Sequence, residues 1–133
     1  MFSARSFGVS IARPVTEVYD YLAEPENLTN WMTVLGTRLR KADGAHWIAE
    51  APVVDTGPIT IGFSPRNRFG VLDYEFSHGD RTTTFPMRVL ANDEGSEVVV
   101  TLFAPRGAGE AHLASEVEWL TTDLLTLKAL LEH

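Results

Sequence analysis

The stretch PITIGFSPRNRFGVLDYEFSHGDRTTTFPMRVLANDEGSEVVVTLF, residues 58–103, decides the fold. Short runs rich in β-branched and aromatic residues alternate there with clusters of Gly, Pro, Asn, Asp and Ser, which is how strands joined by turns read. A turn over 64–69 sets Phe63, Ile61 and Ile59 opposite Gly70, Leu72 and Tyr74. A turn over 78–81 sets Tyr74 and Leu72 opposite Phe85 and Met87, and one over 92–95 sets Met87 and Phe85 opposite Val100 and Leu102. Side chains alternate between faces along a strand, so these pairings gather one continuous apolar face. The other face carries Thr60, Ser64, Asp73, Glu75, Thr84, Arg88, Glu97 and Thr101, with Val71, Val99 and Phe103 as exceptions. One face is wet and the other needs a cover.

The cover lies at the C-terminus. Leu113, Val117, Leu120, Leu124, Leu127 and Leu131 recur every three or four residues, which predicts an amphipathic helix over about residues 110–132. Glu116, Glu118, Thr122, Asp123 and Lys128 fall off that stripe. On the N-terminal side, Phe7, Val9 and Ile11 alternate within a strand over residues 3–12. Pro14 then suits a first helical turn, with Val15, Val18, Tyr19 and Leu22 at helical spacing. Pro25 starts a second short helix over about 25–31, carrying Leu28 and Trp31 on one face. LGTRLRKADGAHWIAE, residues 35–50, reads as a hairpin turning at Asp43-Gly44, and APVVDTGP, residues 51–58, as a loop. The expected fold is α+β: a seven-stranded curved antiparallel sheet around a long C-terminal helix, with two short helices between strands 1 and 2, in one domain over 1–133.

Composition narrows the function. A chain of 133 residues with 44% hydrophobic residues can bury a real core. The net charge of −7 argues against a nucleic-acid surface, which needs concentrated Lys and Arg. No apolar run approaches the ~20 residues of a membrane span, and no secretory signal is read at the N-terminus. The absence of cysteine excludes disulfides and cysteine chemistry and is compatible with a cytoplasmic location. His46, His78, His112 and His133 show no metal-ligand spacing, and no Gly-rich phosphate loop occurs, so neither a metal nor a cofactor is expected.

Three segments carry a resemblance. FGVSIARPVTEVYDYLAEPENLTNWM (residues 7–32), PRNRFGVLDYEF (65–76) followed by FPMRVLANDEGSEVVVTLF (85–103), and EVEWLTTDLLTLKALLE (116–132) together resemble the SRPBCC superfamily. These are the helix-grip proteins that include START domains, polyketide cyclases and birch-pollen-allergen-like proteins. The likeness is to its bacterial polyketide-cyclase-like members, most of which have no assigned reaction. The subgroup often has His after its Leu-Asp pair, where this chain has Tyr74.

The resemblance implies an apolar ligand cavity between the concave sheet and the long helix. Residues in the inward register are then the ligand-binding candidates: Phe63, Leu72, Tyr74, Phe85, Met87, Val100 and Leu102, flanked by Trp31 and Trp119. The same side chains could instead fill a core. Tyr74 either offers a hydroxyl to a ligand or is bonded to backbone. His112 opens the last helix beside Glu110, where a solvated histidine and one at a cavity mouth both fit. Arg38 and Arg40 share one strand face, and the 43–44 turn sets Arg40 opposite Trp47. Leu39 and Ile48 make the opposite orientation equally attractive, so a carboxylate-binding role for the arginines stays open.

Three functions fit. Binding of a small hydrophobic or amphipathic molecule needs only the cavity. A cyclase or aromatase on a polyketide-like or aromatic substrate would add proton transfer, for which no strong base is evident, so no catalytic residue is assigned. A protein-interaction module would use an exposed apolar patch, hinted at by Val99 and Phe103. The expected partner is a small hydrophobic molecule, and the chain itself is expected as a monomer or homodimer.

Overall fold

A computed structural model describes residues 1–53 and 57–133. In order, the elements are β1 (Ser3–Ile11), α1 (Val15–Ala23), two 3₁₀ segments (Pro25–Asn30 and Thr33–Leu35), β2 (Leu39–Lys41), β3 (His46–Ala49), β4 (Ile59–Phe63), β5 (Tyr74–His78), β6 (Arg81–Phe85), β7 (Met87–Asn92), β8 (Gly95–Ala104) and α2 (Gly109–Glu132). Every pairing is antiparallel. Part of the 51–58 loop falls on residues 54–56, outside the described residues.

The described strands number eight, not the expected seven, and form two sheets rather than one: β2-β3-β4-β5-β6 and β1-β8-β7. Pro86 is the reason. A proline has no N–H to donate to a ladder, so the continuous run expected over TTTFPMRVLA divides into β6 and β7. The register does not slip across the break. Tyr74 faces Phe85 in one sheet, and beyond Pro86 the Leu72 N–H still donates to the Met87 carbonyl (3.0 Å). On the opposite edge Met87 faces Val100, and the Thr101 N–H donates to the Pro86 carbonyl (3.1 Å). The sheets therefore meet at the proline with their apolar faces on the same side.

Two pairings differ from the sequence reading. Phe63 faces Tyr74, not Gly70, a shift of four residues that keeps the apolar face intact. The intervening residues form a loop wrapped around Asn67. Its Oδ1 accepts the N–H groups of Phe69 and Val71 (2.9 and 3.1 Å), its Nδ2 donates to the Pro65 and Val71 carbonyls (3.0 and 2.9 Å), and its own N–H donates to the Tyr19 hydroxyl (2.8 Å). In the β2–β3 hairpin Lys41 faces Trp47 and Arg40 faces Ile48, because the connection is longer than the Asp43-Gly44 pair. Leu39 and Ala49 thus point to the core, and Arg40 pairs with Glu50 at the surface (3.1 Å).

The helix α2 closes the apolar side. Leu113, Leu120, Leu124 and Leu127 are buried, each contributing about 2 kcal/mol relative to exposure. The C-terminal end is clamped to the β1–α1 junction: Glu132 accepts the Ala12 N–H (2.7 Å), Arg13 donates to the Glu132 carbonyl (3.0 Å), and Lys128 donates to the Ser10 carbonyl (2.6 Å). The start of α2 is tethered by Arg5 to Glu110 (2.7 Å).

Gly70 has φ +73°, and a Cβ there would collide with the Val89 carbonyl oxygen across the join of the two sheets. Gly79 has a similar φ of +59° in the open β5–β6 turn. Gly79→Ala should cost about 1 kcal/mol of backbone strain, and Gly70→Ala at least twice as much. Urea unfolding of the two variants, compared at one temperature, checks the difference.

Candidate functional site

The inward face does not fill the space beneath α2 completely. A cavity of about 280 Å³ remains under the first half of the helix. Met32 and Val34 line it from the 3₁₀ region, Phe76 and Phe85 from β5 and β6, and Leu102 from β8. The helix contributes His112, Ser115, Glu116, Trp119, Leu120 and Asp123. These helical positions recur at three- and four-residue spacing on one face, beside the leucine stripe that seats the helix. Most of the wall is apolar, and Ser115 and Trp119 are exposed at its outer side.

The expected candidates separate into two groups. Phe85, Leu102 and Trp119 line the cavity. Trp31, Leu72, Tyr74, Met87 and Val100 are buried in the core, with Phe63 half-buried against Tyr74 at 5.4 Å between ring centres. Tyr74 takes the backbone alternative: its hydroxyl donates to the Leu22 carbonyl (2.9 Å), and burial pushes its pKa far above the usual phenol range. The indole N–H of Trp31 is buried and finds no hydrogen-bond partner among the described residues.

The polar part of the wall is a relay across the cavity's edge. Trp119 Nε1 donates to Thr33 Oγ1 (2.6 Å), which donates to Asp123 Oδ1 (2.9 Å). The Thr33 N–H donates to Asp123 Oδ2 (3.3 Å). Asp123, read from its sequence position as lying off the apolar stripe, is 2% exposed. Burial raises its pKa above the usual carboxylate range, while both Thr33 bonds oppose the rise. On the same face His112 Nε2 lies 3.2 Å from Glu116 Oε1. No Lys or Arg lines the cavity among the described residues.

Several lining residues had a signal in the sequence. Phe76 lies two residues beyond Tyr74 and so shares its face. Asp123 is three residues from Leu120 and four from Leu127, which puts it on the buried side of α2 whatever its polarity. Met32 and Val34 had none, because their short segment has no period long enough to read.

With the geometry in place, the chain can be set beside known proteins. No family model and no curated protein matches the sequence. Solved structures match over nearly all of it. The Zhui aromatase/cyclase from Streptomyces sp. R1128 superposes with a TM-score of 0.75 at 15% identity, covering 99% of this chain and 94% of that one. Ara h 8.0201 gives 0.69 at 11% identity, covering 98% of each chain. These likenesses decide the architecture. The fold is a helix-grip fold, the one that the sequence resemblance implied. DynU16, from the dynemicin biosynthetic locus, gives 0.71 at 18% identity and covers 97% of this chain. This chain spans only 47% of the DynU16 chain. At such identities the SRPBCC likeness concerns the fold alone.

The buried carboxylate has a measurable consequence. A folded-state pKa raised above the unfolded value means that ionised Asp123 costs stability at neutral pH. That cost is relieved as the pH falls through the folded value toward the ordinary carboxylate range. Relative to Asp123→Asn, the wild type should therefore gain stability between about pH 7 and about pH 4. Urea unfolding of both proteins over that range reads the difference; a pH-independent gap would mean that the pKa is not raised.

Proposed function

We propose that this protein binds a small hydrophobic or amphipathic molecule in the cavity between the sheets and the first half of α2. The observation that supports this reading is the cavity itself. A half-open space of about 280 Å³ bounded mainly by aromatic and aliphatic side chains is the setting that holds a small apolar ligand. Its size suits a ligand of one or two rings. The wall needs no movement of the core to receive it, because Trp119 and Ser115 stand at the solvent edge.

A second reading rests on a specific feature. His112, Glu116 and Asp123 bring three ionisable side chains to one apolar space, the setting in which proton transfer to or from a held substrate is effective. An aromatase/cyclase is among the structural neighbours. In that case the cavity would hold a reactive chain in a productive shape, and the helix groups would move protons.

Native and denaturing mass spectra of gently purified protein test the binding reading. A reproducible extra mass, lost on denaturation, is the expected result, together with enhanced fluorescence of the apolar dye ANS. Ser115→Trp places a large ring at the exposed rim and should abolish both signals while leaving the unfolding midpoint nearly unchanged. A clean apo mass with no dye binding would contradict the reading. A bound species that differs from the supplied compound by loss of water would favour the cyclase.

A further inference from the structure

Asp123 poses a problem that the hydrophobic cavity does not solve. A carboxylate removed from water is ordinarily paired with a cation or a metal, yet no basic side chain lies within ion-pair distance of Asp123 among the described residues. Among the described residues its hydrogen-bond donors are the N–H and hydroxyl of Thr33, one on each oxygen. A carboxylate has about four lone-pair positions, so acceptor capacity remains. Two donors divided between the two oxygens suit an ionised group better than a protonated acid, whose own O–H would have to point away from Thr33.

The surroundings carry the same sign. Glu116 is a second carboxylate on the cavity wall, and no Lys or Arg faces either acid from the sheets or the 3₁₀ segment among the described residues. Among the described lining residues His112 is the one able to become cationic, and it lies against Glu116 rather than Asp123. The Trp119 N–H is already given to Thr33, which leaves the carbon surface and π face of its ring to meet a ligand. A π face beside an acid is a site that attracts a cation. The chain's net charge of −7 adds a long-range attraction for positively charged molecules.

We propose that the cavity takes a cationic amphiphile, an aryl or alkyl amine whose ammonium group pairs with Asp123 while its apolar body lies among Phe76, Phe85 and Leu102. This rests on the binding reading given above and adds the chemical class of the ligand. The amine supplies the missing counter-ion, Thr33 holds the carboxylate in position, and Glu116 disfavours any anion at the mouth. Carboxylic acids, phosphates and sulfates are thereby disfavoured.

Three probes of matched shape test it: 1-naphthylmethylamine, 1-naphthylmethanol and 1-naphthoic acid, titrated against the full chain at neutral pH by calorimetry. The amine should bind about tenfold or more tightly than the alcohol, as expected for a charge-assisted bond over a neutral one, and the acid more weakly than both. Asp123→Asn should bring the amine to the level of the alcohol. Glu94→Gln removes the same unit of charge in the β7–β8 turn, away from Asp123, and should keep the preference. If Asp123→Asn does not fold, as judged by circular dichroism, the ranking of probes on the wild type together with Glu94→Gln still decides. Equal binding of amine and alcohol, or a preference for the acid, would overturn the proposal while leaving hydrophobic binding intact. No binding of any probe to folded wild type would remove both.

Discussion

Everything in this molecule depends on how α2 is seated. Four buried leucines press it onto the sheets, and polar contacts at its two ends fix where it starts and stops. The buried leucines seat the helix, and the space beneath its first half stays open. A tethered helix over a sheet that turns at Pro86 leaves a gap, and the gap becomes the cavity. The cavity is thus a consequence of the fold's geometry, not of one hollow side chain.

The same seating explains why the polar residues lie where they do. Ser115, Trp119 and Asp123 occupy the helix face next to the leucine stripe, and Thr33 reaches across to bond Trp119 and Asp123. Core packing alone would favour a leucine at position 123. Burial of a carboxylate there opposes its ionisation, and among the described residues two hydrogen bonds from Thr33 offset that. Local rules are usually broken where function requires it. In the proposed binding function, Asp123 and the cavity it lines act as one site.

Much of the fold was legible because strand and helix periods are strong signals. The second and third hairpin registers followed from Gly79 and from the Asn92–Gly95 turn, and the six residues of the α2 stripe are all buried or half-buried. The first register failed because Asn67 folds residues 64–73 into a loop through its side chain, which no alternation pattern encodes. Pro86 was visible, but its effect on strand count depends on which edge lost a donor. The site was less legible than the fold. Inward-facing residues on a sheet divide into those under the packed part of a helix and those under its unpacked part, and that division appears only in three dimensions. Asp123 was set aside for its charge although its spacing placed it inside.

The claim at the centre is that ligands enter beneath α2 beside Trp119. The three tryptophans, Trp31, Trp47 and Trp119, give three indole N–H signals in a proton–nitrogen correlation spectrum, each in a different part of the fold. Titration with 1-naphthylmethylamine should shift the Trp119 signal in a saturable way and leave that of Trp47, on β3, unchanged. Saturable shifts confined to Trp47, or to amides around Val99 and Phe103 on the outer face, would place the site elsewhere and contradict the account.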